Sequence, residues 1–160
     1  MDQIEVGRIA LMSIHPQYAK AIVCGKKRVE FRKRPLARDV THVIVYATAP
    51  VKAVVAAFEV KGQQVLPPSE LWRRFRMVGG ISKRDFFAYY ADGVAGVGIE
   101  VGKVFTPPEP LSLCGDFGIA RPPQSYQYIQ DTVPEAFTNA HGEAVSLNHP
   151  ERQLSLLARA

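Results

Sequence analysis

Hydrophobic spacing changes period several times along this chain, and each change marks an element. Ile9-Ala10-Leu11-Met12-Ser13-Ile14 is a nearly unbroken apolar run of strand length, the pattern of a buried strand. His15-Pro16 follows, and proline suits the first position of a helix. Tyr18, Ala19, Ile22 and Val23 recur at helical spacing, and Gly25 is a natural stop. Over residues 28–34 the period falls to two. Val29 and Phe31 take one face; Arg28, Glu30, Arg32 and Arg34 take the other. Residues 42–48 and 51–60 are rich in valine and alanine and are separated by Ala49-Pro50. They predict two strands buried on both faces.

Pro67-Pro68-Ser69-Glu70 opens a helix carrying Leu71, Trp72, Phe75 and Met77, which Gly79-Gly80 breaks. Ser82-Lys83-Arg84-Asp85 begins the next helix with an acid three residues after the cap. Phe86, Phe87, Tyr89 and Tyr90 give it an aromatic flank. Such a flank is either core or a stacking platform, and helical spacing favours core. Residues 94–104 return to a strand with Gly96, Gly98 and Gly102 on one face, the sign of a bulge, a bend or close backbone approach. Pro107-Pro108-Glu109-Pro110 is a stiff connector, Leu111-Ser112-Leu113 a short strand, and Arg121-Pro122-Pro123-Gln124-Ser125 leads into a short helix. After Pro134 the pattern weakens: residues 139–150 read as loop and 153–157 as a terminal turn of helix or strand. The expectation is an α+β fold, a small curled β-barrel flanked by short helices. One domain spans residues 1–133, and a C-terminal extension over 134–160 packs on it or is partly flexible.

Charge sharpens this picture at one place. The 160 residues carry a net charge of +5, a modest bias toward acidic partners. Between positions 20 and 38, however, Lys20, Lys26, Lys27, Arg28, Arg32, Lys33, Arg34 and Arg38 face a single acid, Glu30. A basic run attracts polyanions of any sequence. A surface meant only for phosphate has no use for the carboxylate, which therefore orients its neighbours, accepts a hydrogen bond from a base or sugar, or moves a proton. Against this stands an exposed cross-strand ladder of ion pairs, worth less than about 1 kcal/mol. Arg73, Arg74, Arg76, Lys83 and Arg84 form a second basic patch, either an extension of a nucleic-acid track or a solvated helix face.

Cys24 and Cys114 lie in no metal-type spacing, which argues against zinc and for buried thiols in a reducing compartment. His15, His42, His141 and His149 show no ligand-like spacing either. No apolar stretch approaches the roughly 20 residues that span a bilayer, and no signal peptide is visible, so a cytoplasmic location without membrane contact is expected. No metal or cofactor is expected.

Gly25, Lys27, Glu30 and Arg32 spell G-x-K-x-x-E-x-R between a helix stop and a strand. This resembles the signature of the ASCH domain family, a branch of the PUA-like superfamily. The residues Ser13-Ile14-His15-Pro16-Gln17-Tyr18-Ala19, Val45-Tyr46-Ala47-Thr48-Ala49-Pro50 and Pro122-Pro123-Gln124-Ser125-Tyr126 are similar to further family segments. The resemblance spans roughly residues 8–130 and implies a cleft that faces RNA or a modified nucleotide. Lys27, Glu30 and Arg32 would line it, with Gly25 shaping the turn. Arg32 and Lys27 would hold phosphate or carbonyl oxygens, and Glu30 would orient Arg32 or accept from an exocyclic amine. Tyr46 would stack a base, or else sit in the core; Thr48 would add a hydroxyl. Ser125 and Gln124 would meet a phosphate, or else merely cap a helix.

Three functions compete. The leading one is binding of RNA or a modified nucleotide without catalysis. The alternative is a hydrolase with Glu30 as general base and Lys27 as electrostatic stabiliser, acting on RNA as a ribonuclease or on a nucleoside such as N4-acetylcytidine. The family's N4-acetylcytidine deacetylases use a lysine, a threonine and a glutamate. Their lysine falls on Lys27, but their threonine falls on Glu30, which cannot supply the hydroxyl. The third function is regulation through a protein partner that engages the tail after Pro134.

Overall fold

A computed structural model describes residues 6–91, 93–130 and 133–148. The expected terminal element at 153–157 lies outside the described residues. The elements run β1 (Arg8–Ile14), α1 (Pro16–Val23), β2 (Val29–Arg32), β3 (Val40–Ala47), β4 (Ala53–Leu66), α2 (Pro68–Phe75), α3 (Lys83–Tyr89), β5 (Gly96–Phe105), α4 (Leu113–Phe117) and β6 (Tyr126–Ile129). They build one six-stranded sheet in the order β2-β5-β4-β3-β1-β6. β1 and β3 are parallel; the other pairs are antiparallel. No helix among the described residues is long and apolar enough to cross a membrane.

β1 and β3 are largely apolar because both their faces are covered. On one face Ala10, Met12, Val43, Val45, Phe58, Val97 and Ile99 form a core closed by Ile22 of α1 and by Leu36. On the other, Ile9, Leu11, Ile44, Tyr46 and Phe105 meet Phe117 of α4 and the later residues Val133, Phe137 and Leu147. A third cluster sits at the β2 edge, where Val29 and Phe31 pack against Leu71, Phe75, Phe86 and Tyr90 of the α2–α3 hairpin. β5 meets that hairpin at its glycines. A Cβ at Gly96 would lie 2.5 Å from the Tyr90 ring, and one at Gly98 would lie 3.0 Å from Phe75. Close backbone approach thus explains the glycine face of this strand.

Four expectations need correction. The sheet curls but does not close into a barrel: among the described residues no backbone ladder joins the edge strands β2 and β6. Side chains stitch the gap instead. Tyr126 donates to the Pro35 carbonyl at 3.1 Å, and the Ala37 amide donates to the Tyr128 hydroxyl at 3.0 Å. The segment after Ser125 is strand β6 and not a helix, because pairing with β1 outweighs its weak local preference. Leu111 makes only an isolated bridge to Val54, and Ser112 instead caps α4 by accepting from the Gly115 amide at 3.0 Å. Both cysteines are exposed, since Cys24 ends α1 facing solvent and Cys114 lies on the outer side of the short α4.

Candidate nucleotide cleft

α1 ends as its glycine predicts. Gly25 takes φ +81°, a value most side chains resist. The Lys27 amide then donates back to the Ala21 carbonyl at 3.0 Å. The chain therefore enters β2 with Lys27 turned inward. Glu30 and Arg32 follow at strand spacing on the face that β2 shares with Ile99 and Val97 of β5. Lys27 is 2% exposed and Glu30 6%, which removes the solvent-exposed ladder as an explanation of the motif.

The three charges form one buried group. Arg32 donates from Nε to Glu30 Oε1 at 3.1 Å, and its Nη2 lies 3.0 Å from the same oxygen. Nη2 also donates to the Ser13 carbonyl at 2.8 Å, and Nη1 reaches Ser125 Oγ at 3.3 Å. The guanidinium fork is thus spent largely on protein acceptors. Arg32 fixes Glu30 and ties β2 to β1 and to the approach to β6.

Lys27 is held differently. Its Nζ donates to the Gly79 carbonyl and sits 5.2 Å and 5.0 Å from the ring centroids of Tyr18 and Phe31, cation–π distances. Glu30 Oε2 lies 3.8 Å away, beyond hydrogen-bond length. Burial pushes the ammonium below its ordinary pKa; Glu30 opposes that shift and Arg32 reinforces it. The α2–α3 loop closes over this lysine. The Arg28 amide donates to the Val78 carbonyl at 2.7 Å. Gly80, at φ +59°, would place a Cβ 2.7 Å from Lys27 Cβ.

These residues floor a cleft of about 580 Å³ between α1, β2, α3 and the approach to β6. Thr48, Gln124 and Ser125 line it as the sequence suggests. Gly25 shapes the turn from outside it. Tyr46 does not reach it: strand parity turns its ring into the opposite core beside Ile44. His15, Tyr18, Lys33, Asp85 and Tyr89 are among the lining residues that were not singled out as site residues. Tyr89 had a signal, since it stands one residue off the buried stripe of Phe86 and Tyr90 in the aromatic flank. Asp85 read as half of a capping box. Its backbone N–H does donate to Ser82 Oγ at 3.1 Å, while the residue also lines the cleft. Burial raises the pKa of both the Tyr18 and the Tyr89 phenols, which keeps them neutral at ordinary pH.

The family model for the ASCH domain matches residues 12–109. Over 91 residues the chain is 35% identical to a protein of Zymomonas mobilis named ASCH domain-containing ribonuclease, a match covering 56% of this chain and 62% of that one. Over 127 residues it is 26% identical to the large ribosomal subunit protein uL22 of Ureaplasma parvum, covering 79% of this chain and 40% of that one. The chain therefore spans less than two thirds of the length of either relative. Among solved structures, the ASCH protein of Zymomonas mobilis superposes with a TM-score of 0.69 at 23% identity, covering 94% of each chain. A serine-to-alanine variant of it gives 0.69 at 24% identity, over 98% of this chain and 99% of that one. At these identities the structures speak for a common fold.

Proposed function

Because the chain belongs to the ASCH domain family, we propose that its cleft binds an unpaired nucleotide of RNA, with Lys27 and Glu30 reading the edge of the base. One observation carries this reading. A buried ammonium and a buried carboxylate oxygen face the cleft 3.8 Å apart, close enough to attract yet too far to bond each other. They present a donor beside an acceptor. The Watson–Crick edge of a base offers an acceptor beside a donor, and in a duplex that edge is occupied by the partner base. An unpaired base satisfies both groups at once. Tyr18 and Tyr89 supply ring surface, and Thr48 and Ser125 supply hydroxyls for sugar or phosphate.

Amide chemical shifts recorded during titration with single-stranded RNA test this without altering the protein. Perturbations are expected at Ser13, Lys27, Thr48 and Ser125, with affinity at least about tenfold below that for the single strand when the same sequence is presented as duplex. Shifts confined to the α2 surface, or equal affinity for both forms, would refute the proposal.

A second reading, cleavage of the bound RNA, draws on the name of the Zymomonas mobilis relative. In it Glu30 takes the proton and Lys27 stabilises developing negative charge. Labelled RNA and N4-acetylcytidine, each incubated with the protein and with Glu30→Gln, separate binding from turnover. Equal product formation by both proteins removes Glu30 from any such mechanism.

A further inference from the structure

Beside the cleft lies a second hollow of about 230 Å³, bounded by Lys33, Ala88, Tyr89, Ala91 and Gly93. It shares Lys33, Ala88 and Tyr89 with the cleft, so the two are compartments of one depression divided by a ridge. The second is smaller than the roughly 300 Å³ at which sites for complete small ligands begin. It has room for part of a molecule whose remainder lies elsewhere.

Tyr89 forms the ridge. Unlike its neighbours Phe86 and Tyr90, which are core, it is 38% exposed. Its ring packs against that of Tyr90 in an edge-to-face contact, with centroids 4.8 Å apart at 70°. The Tyr90 hydroxyl in turn donates to the Arg32 carbonyl at 2.7 Å. The ridge is thereby fixed to the strand that carries the charged triad. Above it stands Lys33, its Nζ 5.0 Å from the Tyr89 ring centroid and, among the described residues, without an acidic partner. One aromatic ring, one cation without an acidic partner among the described residues and a hollow on each side correspond to the parts of a dinucleotide: base, phosphate, base.

Resting on the function proposed above, we infer that the ligand is a strand and not a free nucleoside. Two consecutive nucleotides occupy the cleft and the hollow, Tyr89 stacks against a base at the ridge, and Lys33 meets the phosphate that links them. A free nucleoside would fill the cleft alone and leave Lys33 and the second hollow unmatched.

Competition experiments test this against a fluorescent 2′-O-methyl RNA decamer containing all four bases, which resists cleavage through the 2′-hydroxyl. The competitors are the four nucleoside 5′-monophosphates and a pool of dinucleotides. Dinucleotides are expected to compete at least about tenfold better than any monophosphate. Tyr89→Ala should weaken the dinucleotides about tenfold more than the monophosphates, and Tyr89→Phe, which keeps the ring, should restore them. Lys33→Met should lower the slope of log affinity against log salt by about 0.7 for the decamer. Parity between monophosphates and dinucleotides, or an equal loss for both in Tyr89→Ala, overturns the strand inference. If monophosphates still bind in that case, and fail to bind Glu30→Gln, the base-reading cleft stands without it. If neither competitor nor the decamer binds, both proposals fall.

Discussion

Two acid–base pairs in this protein look alike on paper. Lys27 and Glu30 stand three residues apart in a basic stretch, and so do Glu70 and Arg73. The first pair is nearly buried, at 2% and 8% side-chain exposure, with its charges 3.8 Å apart. The second is open to solvent, at 44% and 69%, with its atoms in contact at 2.7 Å. The pair with the better contact is the less consequential, because water and salt screen it and its long side chains lose freedom to hold it. The looser pair is costly to disturb, since each charge has surrendered its hydration and depends on what surrounds it. Burial, and not contact distance, separates a site from a decorated surface.

The strongest way to break this comparison is Glu30→Gln. It leaves the buried Lys27 and the largely buried Arg32 without their counter-charge and should cost about 3–5 kcal/mol in urea unfolding. Adding Lys27→Met to it should recover part of that loss, because the two residues are coupled. Additive losses would show that the pair is energetically independent.

A buried polar group with no counter-charge sharpens the contrast. His42 is 1% exposed, and its Nε2 lacks a hydrogen-bond partner among the described residues. Burial pushes its pKa down to about 4. As pH falls below about 6.5, the unfolded chain therefore takes up this proton before the folded one does. Stability present at neutral pH should drain away between about pH 6.5 and pH 4, by roughly 3 kcal/mol in all. Unfolding midpoints measured across that window should flatten in His42→Gln; an unchanged profile would assign the slope to other groups.

Gly80→Ala probes the loop that covers Lys27. A left-handed backbone and a 2.7 Å approach to Lys27 Cβ predict a loss of about 1–2 kcal/mol. Ligand affinity should fall as well, because the ammonium must move. Affinity held at the wild-type value would show that the loop does not position it. The smallest effect belongs to Glu70→Gln, for which no measurable shift in the unfolding midpoint is expected at physiological salt.

The same contrast marks what was legible in the sequence. Period and capping placed β1, α1, β2 and β3, because their local signals agree with their environment. Parity put Glu30 and Arg32 on one face, but parity is blind to what covers that face. The curl of the sheet and the α2–α3 hairpin decide it, and both arise from contacts far apart in the chain. The cleft wall of Asp85 and Tyr89 was hidden for that reason. So was β6, whose four residues become a strand only because β1 lies alongside. Tyr46 shows the converse error: strand parity alone would group it with Thr48, two residues on, but β3 ends at Ala47, so Thr48 lies past the strand and lines the cleft while Tyr46 stays in the core beside Ile44.

Where β2 and β6 face each other, the fold relies on two phenols, a hydroxyl and one guanidinium instead of a ladder. Strand pairing moves only in whole-residue steps, whereas side-chain ties lengthen or let go by rotation about single bonds. If the cleft takes a ligand as proposed, the mouth beside Arg32 and Ser125 is where it can widen while every rung of the sheet stays in place.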